Sequence, residues 1–153
     1  MKLDLVLGPD KRLETVCDPI LEITADIEKL AHNMIETMQI NNGIGLAANQ
    51  VGHMVRMLVI DISDTRNDPM VFINPQIVFA AGQCSIKESC LSFPGYEIEV
   101  PRFFEVRIKA FNEKREPFSL QTHGLAAIVL QHEIDHLDGI TMEARSKMAV
   151  AGR

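Results

Sequence analysis

Tryptophan is absent from this 153-residue chain, and tyrosine occurs once, at Tyr96. With so few aromatic platforms, stacking of unpaired bases has little to rest on, and single-stranded nucleic acid is not an expected partner. Positive charge is not in excess either. The formal net charge is -6, which leaves no basic footprint for nucleic acid of any kind. No apolar run approaches the roughly 20 residues that cross a membrane, so no membrane partner is expected. The stretch from Met1 to Asp10 has an early acid, a short apolar run and no cleavage pattern, and is not expected to act as a signal peptide. Only three cysteines occur, Cys17, Cys84 and Cys90, irregularly spaced. An odd, scattered set argues against a disulfide framework and for a reducing, cytoplasmic setting in which a thiol is free for other work. No repeat, low-complexity tract or linker interrupts the chain, so residues 1–153 read as one domain with a real core.

What is present reads as α+β. Thr24 is a candidate N-cap, with Asp26 and Glu28 in the first turn where the helix dipole favours acids. Ile27, Leu30, Ala31, Met34, Ile35 and Met38 repeat at helical spacing, predicting an N-terminal amphipathic helix that ends at Asn41-Asn42-Gly43. Strands are predicted at Met57–Ile62, Met70–Ile73, Ile77–Ala80, Tyr96–Val100, Glu105–Phe111 and Phe118–Leu120, with a charged hairpin tip over Asn112–Pro117. A second helix is predicted between an N-cap at Thr122 and a stop at Asp138-Gly139. It is apolar nearly all round, through Leu125, Ala126, Ala127, Ile128, Val129, Leu130, Ile134 and Leu137, which marks a buried helix. Strands in a run between two helices predict mostly antiparallel sheets around that central helix.

The central helix carries His132-Glu133-Ile134-Asp135-His136, an HExxH arrangement. Its two imidazoles lie one turn apart on one face and can reach a single cation, while Glu133 beside them can act as general base. The competing reading is a solvated pair of surface histidines. A buried helix argues against it, because buried charge needs a partner and a metal supplies one. A catalytic centre of this kind takes three protein ligands. His32, His53, Glu143 and Cys90 are the candidates for the third. Cys90 is the better chemical match, since thiolate suits borderline metals, although taken alone it reads as a small buried hydrophobe. Gly43 to Gln50 is rich in small residues and permits close backbone approach. It lacks the lysine and hydroxyl of a phosphate loop. Gln50 can place an amide donor at a site.

Three motifs then converge on one family. Gly43 to Gln50 resembles the GxGLAAxQ motif of peptide deformylases, Glu88 to Ser92 their EGCLS motif, and Gln131 to His136 their QHExDH motif, in the same order and separation. The resemblance implies the family's α+β fold and removal of the formyl group from N-formylmethionyl peptides. It implies one divalent metal per chain held by Cys90, His132 and His136, usually ferrous iron, with zinc, nickel or cobalt also accepted. It implies Glu133 as acid and base, and Gln50 with the backbone N–H of Leu91 as donors to the formyl oxygen. The methionine side chain needs an apolar pocket, for which Leu125, Ile128 and Val129 form a natural wall. The resemblance adds Ile44, Gly45 and Ile86 nearby, and Arg102 as a contact for the peptide backbone.

Two departures stand out. Ser89 occupies a position where the family usually has glycine, so a side chain enters the expected path of the substrate backbone. The stretch from Arg145 to Arg153 is shorter than the basic C-terminal helix that docks many bacterial members on the ribosome, and docking by that route is not expected. Two other readings compete. An HExxH peptidase cutting internal bonds predicts that Cys90 is dispensable. A degenerate paralogue binds formylated N-termini or uses metal only to hold the fold, and a structural site closed by four protein ligands has no use for Glu133 or Gln50.

Overall fold

The computed structural model describes residues 1–150; Ala151, Gly152 and Arg153, which close the tail read above, lie outside the described residues. The chain forms helices α1 (Ala25–Ile40), α2 (Leu125–Leu137) and α3 (Met142–Val150). Its strands are β1 (Gly45–Ala47), β2 (Met57–Ile60), β3 (Met70–Ala81), β4 (Cys84–Cys90), β5 (Phe93–Arg102), β6 (Glu105–Phe111) and β7 (Pro117–His123). Five strands make one sheet in the order β1-β2-β3-β6-β7, and β4 pairs with β5 in a separate two-stranded sheet; every pairing is antiparallel.

The large sheet is covered on both faces at its β1–β2–β3 end. Alternation along β2 sends Leu58 and Ile60 into the core under α2, and Met57 and Val59 into the core under α1. All four residues are buried, as expected for an apolar run clad on both sides. Met34 and Met38 fill the α1 core. Farther along, β6 alternates buried Val106, Ile108 and Ala110 with outward Arg107, Lys109 and Phe111, because only its α2 face is covered. Every residue of α2 from Ala126 to Leu137 is buried. Fully burying side chains such as Leu130 and Leu137 contributes about 1.5–3 kcal/mol each.

Local caps explain the helix ends. Thr24 Oγ1 accepts from the Ile27 N–H and opens α1. Thr122 does not open α2. It lies inside β7, and Gly124 (φ 64°, ψ -136°) makes the turn instead, in a region open essentially to glycine. At the other end, Arg56 Nη1 donates to the Leu137 carbonyl at 2.9 Å and Nη2 to Asp138 Oδ1 at 2.7 Å, placing a cation at the helix C-terminus where its dipole is negative. Asn74-Pro75 does not split β3 as predicted. Asn74 takes a positive φ at a register shift, and its side-chain amide bonds both the N–H and the carbonyl of Ile20 at 2.8 Å. Proline is tolerated at such a bulge.

Candidate metal centre and its cavity

Side chains of α2 meet those of the small sheet, and these contacts bring distant residues together. Cys90 arrives at the end of β4, His132 and His136 from α2. One donor atom from each lies within 4.8 Å of the others, and all three residues are buried. Cys90 Sγ is 3.3 Å from His136 Nε2. A sulfur and two imidazoles form a donor set suited to a borderline divalent ion. The electrostatics agree. Burial holds His136 well below its ordinary range, so it stays neutral with a lone pair to offer. Burial also opposes a charge on His132, but Glu133, Cys90 and Glu88 around it outweigh that and favour a positive charge there. These residues fit a bound cation.

Glu133, beside the first histidine, is 5% exposed, and its Oε1 has no hydrogen-bond partner. Burial pushes its carboxyl up to about 7, against the pull of His132. Gln50 comes from a 3-10 turn after β1. Its Oε1 accepts from the Ala47 N–H at 2.9 Å, and its Nε2 donates to Ser92 Oγ at 3.1 Å and towards Cys90 Sγ at 3.4 Å. The amide orientation is therefore locked, with its donor beside the cluster.

A cavity of about 620 Å³ opens next to these groups. Gln50, Leu91, Cys90, His132 and Glu133 line it, and so do Ile44, Gly45, Ile86, Ser89, Leu125, Ile128 and Val129. Ser89 sits at the register shift between Glu88 and Cys90 and does not have a positive φ, so the serine is unstrained there. His32 and His53 are exposed, and Glu143 pairs with Lys147 on the surface of α3; none of them joins the cluster.

Arg102 requires a correction. It does not line the cavity. Its side chain is buried, with Nε and Nη2 each 2.8 Å from the two oxygens of Glu88 and Nη1 2.5 Å from Asp135 Oδ2. Pro101 precedes it on β5, and the strand turns it towards α2 rather than into the cavity. Sequence reasoning also missed Glu88, whose Oε1 lies 2.8 Å from His132 Nδ1. That contact orients the ring and directs its other nitrogen to the cluster. An acid two positions before the cysteine was the available signal. Asn49, which donates to the His136 carbonyl at 2.7 Å, left no signal beyond its place in the small-residue loop. No described helix is long and apolar enough to cross a membrane.

The model of the polypeptide deformylase family matches residues 2–150. A peptide deformylase of Tolumonas auensis is 45% identical over 137 residues, covering 90% of this chain and 82% of that protein. One from Neisseria gonorrhoeae is 44% identical over 151 residues, 99% of this chain and 90% of its own. Among solved structures, a peptide deformylase from Legionella pneumophila superposes with a TM-score of 0.92 at 34% identity, covering 99% of this chain and 92% of that one. Another, from Synechococcus elongatus in complex with actinonin, gives 0.89 at 36% identity over 94% of this chain and 78% of that one. A family model spanning nearly the whole length, relatives of this similarity and a shared fold lead to one conclusion: the chain belongs to the polypeptide deformylase family.

Proposed function

We propose that this protein is a metal-dependent hydrolase that removes the formyl group from formylmethionyl peptides and releases formate. The observation that carries the reading is the meeting of Cys90, His132 and His136 beside an unpartnered, buried Glu133 at the wall of an apolar cavity. In this reading the HExxH run of α2 is the metal motif, residues 1–153 form one catalytic domain, and the protein works in the cytoplasm. The resident ion is ferrous iron, as the resemblance implies, with zinc, nickel or cobalt able to replace it.

A bound divalent ion supplies Lewis acidity, polarising the formyl carbonyl and making water a stronger acid. The chain's own residues do the rest. Ile128, Val129 and Leu125 receive the methionine side chain, while Ile44, Gly45, Ile86 and Ser89 flank the peptide. Gln50 Nε2 and the Leu91 N–H donate to the formyl oxygen as negative charge builds there. Glu133 takes a proton from water as its oxygen bonds to the formyl carbon. It then delivers that proton to the amine nitrogen as the C–N bond breaks.

The test is formate release from formyl-Met-Ala by anaerobically purified protein, with metal content measured in parallel. Cys90→Ala should lose the metal. Glu133→Gln should keep it and lose at least about 10²-fold in turnover. A metal-loaded Glu133→Gln protein working at the wild-type rate would refute the reading, and so would full metal content in Cys90→Ala.

A further inference from the structure

Among the described residues, the β4–β5 hairpin that carries Cys90 shares no hydrogen-bonded strand with the five-stranded sheet. Its place against α2 therefore depends on side chains, and α3 supplies some of them. Met142 packs with Cys90 and Val100 in a small separate core flanked by Phe93 and Ile98. Arg145 reaches α2 directly. Its Nη2 donates to Asp135 Oδ1 at 2.7 Å and its Nε to Asp135 Oδ2 at 3.0 Å. Asp135 also accepts from Arg102 of β5, Arg102 grips both oxygens of Glu88 of β4, and Glu88 meets His132 Nδ1. A continuous chain of charged side chains thus runs from the C-terminal helix to a ligand histidine.

Before the chain reaches the histidine, acids and bases alternate one to one. Two carboxylates, Glu88 and Asp135, face two guanidiniums, Arg102 and Arg145. Arg102 is at the buried end and Arg145 at the solvent end, its side chain 21% exposed. Without Arg145, one guanidinium must serve two buried carboxylates, and a buried charge left short of a partner is strongly unfavourable. Arg102 is then drawn towards Asp135, and its two-pronged hold on Glu88 relaxes. Glu88 is the group that orients His132, so the disturbance ends at the cluster.

We propose that Arg145 is a positioning residue for the Cys90–His132–His136 centre, through which α3 clamps the β4–β5 hairpin onto α2. The inference rests on the metal-site reading above and extends it to a residue that lines neither the cavity nor the ligand set.

The test uses the full chain loaded with cobalt(II). Arg145→Ala and Arg145→Lys are compared with wild type and with Lys147→Ala, a control whose partner is Glu143 on the same helix. The readouts are the rate of cobalt loss to a chelator and the visible absorption bands of the bound ion, which report ligand geometry. Arg145→Ala should release cobalt about tenfold faster than wild type, the low end of effects seen when an outer partner of a ligand is removed. Its bands should shift. Arg145→Lys should fall between the two, because lysine keeps the charge and loses the fork. Lys147→Ala should match wild type. If Arg145→Ala does not fold, Arg145→Lys decides alone, by faster release than wild type. Wild-type release and bands in the folded Arg145 variants would overturn the proposal, as would equal acceleration by Lys147→Ala. A wild-type chain that takes up no cobalt would instead refute the proposed function, and this inference with it.

Discussion

Gly45→Ala tests the placement of Glu133 without altering Glu133. Gly45 does not have a positive φ, so alanine can adopt its backbone; what the site lacks is room. A Cβ there would lie 2.6 Å from Glu133 Oε2, 3.0 Å from Glu133 Cγ and 3.0 Å from Val129 Cγ1. Ordinary contact begins at 3.4 Å, so the carboxylate must give way by about 0.8 Å. Glu133 and Val129 are both buried, and crowding of this sort destabilises by about 1–3 kcal/mol. Displacing a reacting group by roughly 1 Å costs about 10²-fold. We therefore expect kcat/KM for formyl-Met-Ala to fall about 10²-fold, equivalent to about 2.7 kcal/mol of transition-state stabilisation. Metal content should hold, because the atoms nearest the new methyl belong to Glu133 and Val129 rather than to the ligands. The assay follows formate with a coupled dehydrogenase, alongside elemental analysis and urea unfolding. Near-wild-type activity in folded, metal-loaded Gly45→Ala would show that the carboxylate position does not matter, and the reasoning would fall.

Other perturbations probe the frame around the site. Phe72 is fully buried in the α2 core, its ring 5.1 Å from that of Phe118. Phe72→Ala should cost about 3–5 kcal/mol in urea unfolding, and an unchanged midpoint would contradict the packing. Burial pushes the Cys17 thiol up from 9.0 to about 11, with Arg56 pulling the other way. The unfolded thiol ionises first as pH rises, so this residue's share of stability is lost across that interval, at about 1.4 kcal/mol per pH unit. Cys17→Ala should flatten the decline measured by urea unfolding in alkaline buffers; identical slopes in the two proteins would count against it.

How much of this could be read from the chain depended on how local the cause was. α1 was legible because its Thr24 cap and its helical spacing both act within a few residues. The apolar run of α2 likewise announced a buried helix. Where partners are distant, reading failed. Asn74-Pro75 looked like a break, but Ile20, far back in the chain, lets β3 continue. β4 went unseen because the two residues it buries, Glu88 and Cys90, are a carboxylate and a lone thiol, and no alternation of large apolar residues marks it. Arg102 was assigned to the peptide by the family resemblance, and nothing local opposed it, because its two carboxylate partners come from β4 and α2, neither of them adjacent in sequence.

The order and spacing of residues alone raised metal-assisted hydrolysis, through two imidazoles one helical turn apart with an acid between them, and the family resemblance added Cys90 and Gln50. The first of these follows from helical geometry and side-chain chemistry, and both survive without coordinates. The chain order does not contain the distance between Cys90 and the histidines, the silence of Glu133 Oε1, or the charge chain that ends at Arg145. They arise from contacts between elements far apart in sequence, among them the docking of the separate β4–β5 hairpin, and docking is decided by long-range packing and by the desolvation of charges that must find partners.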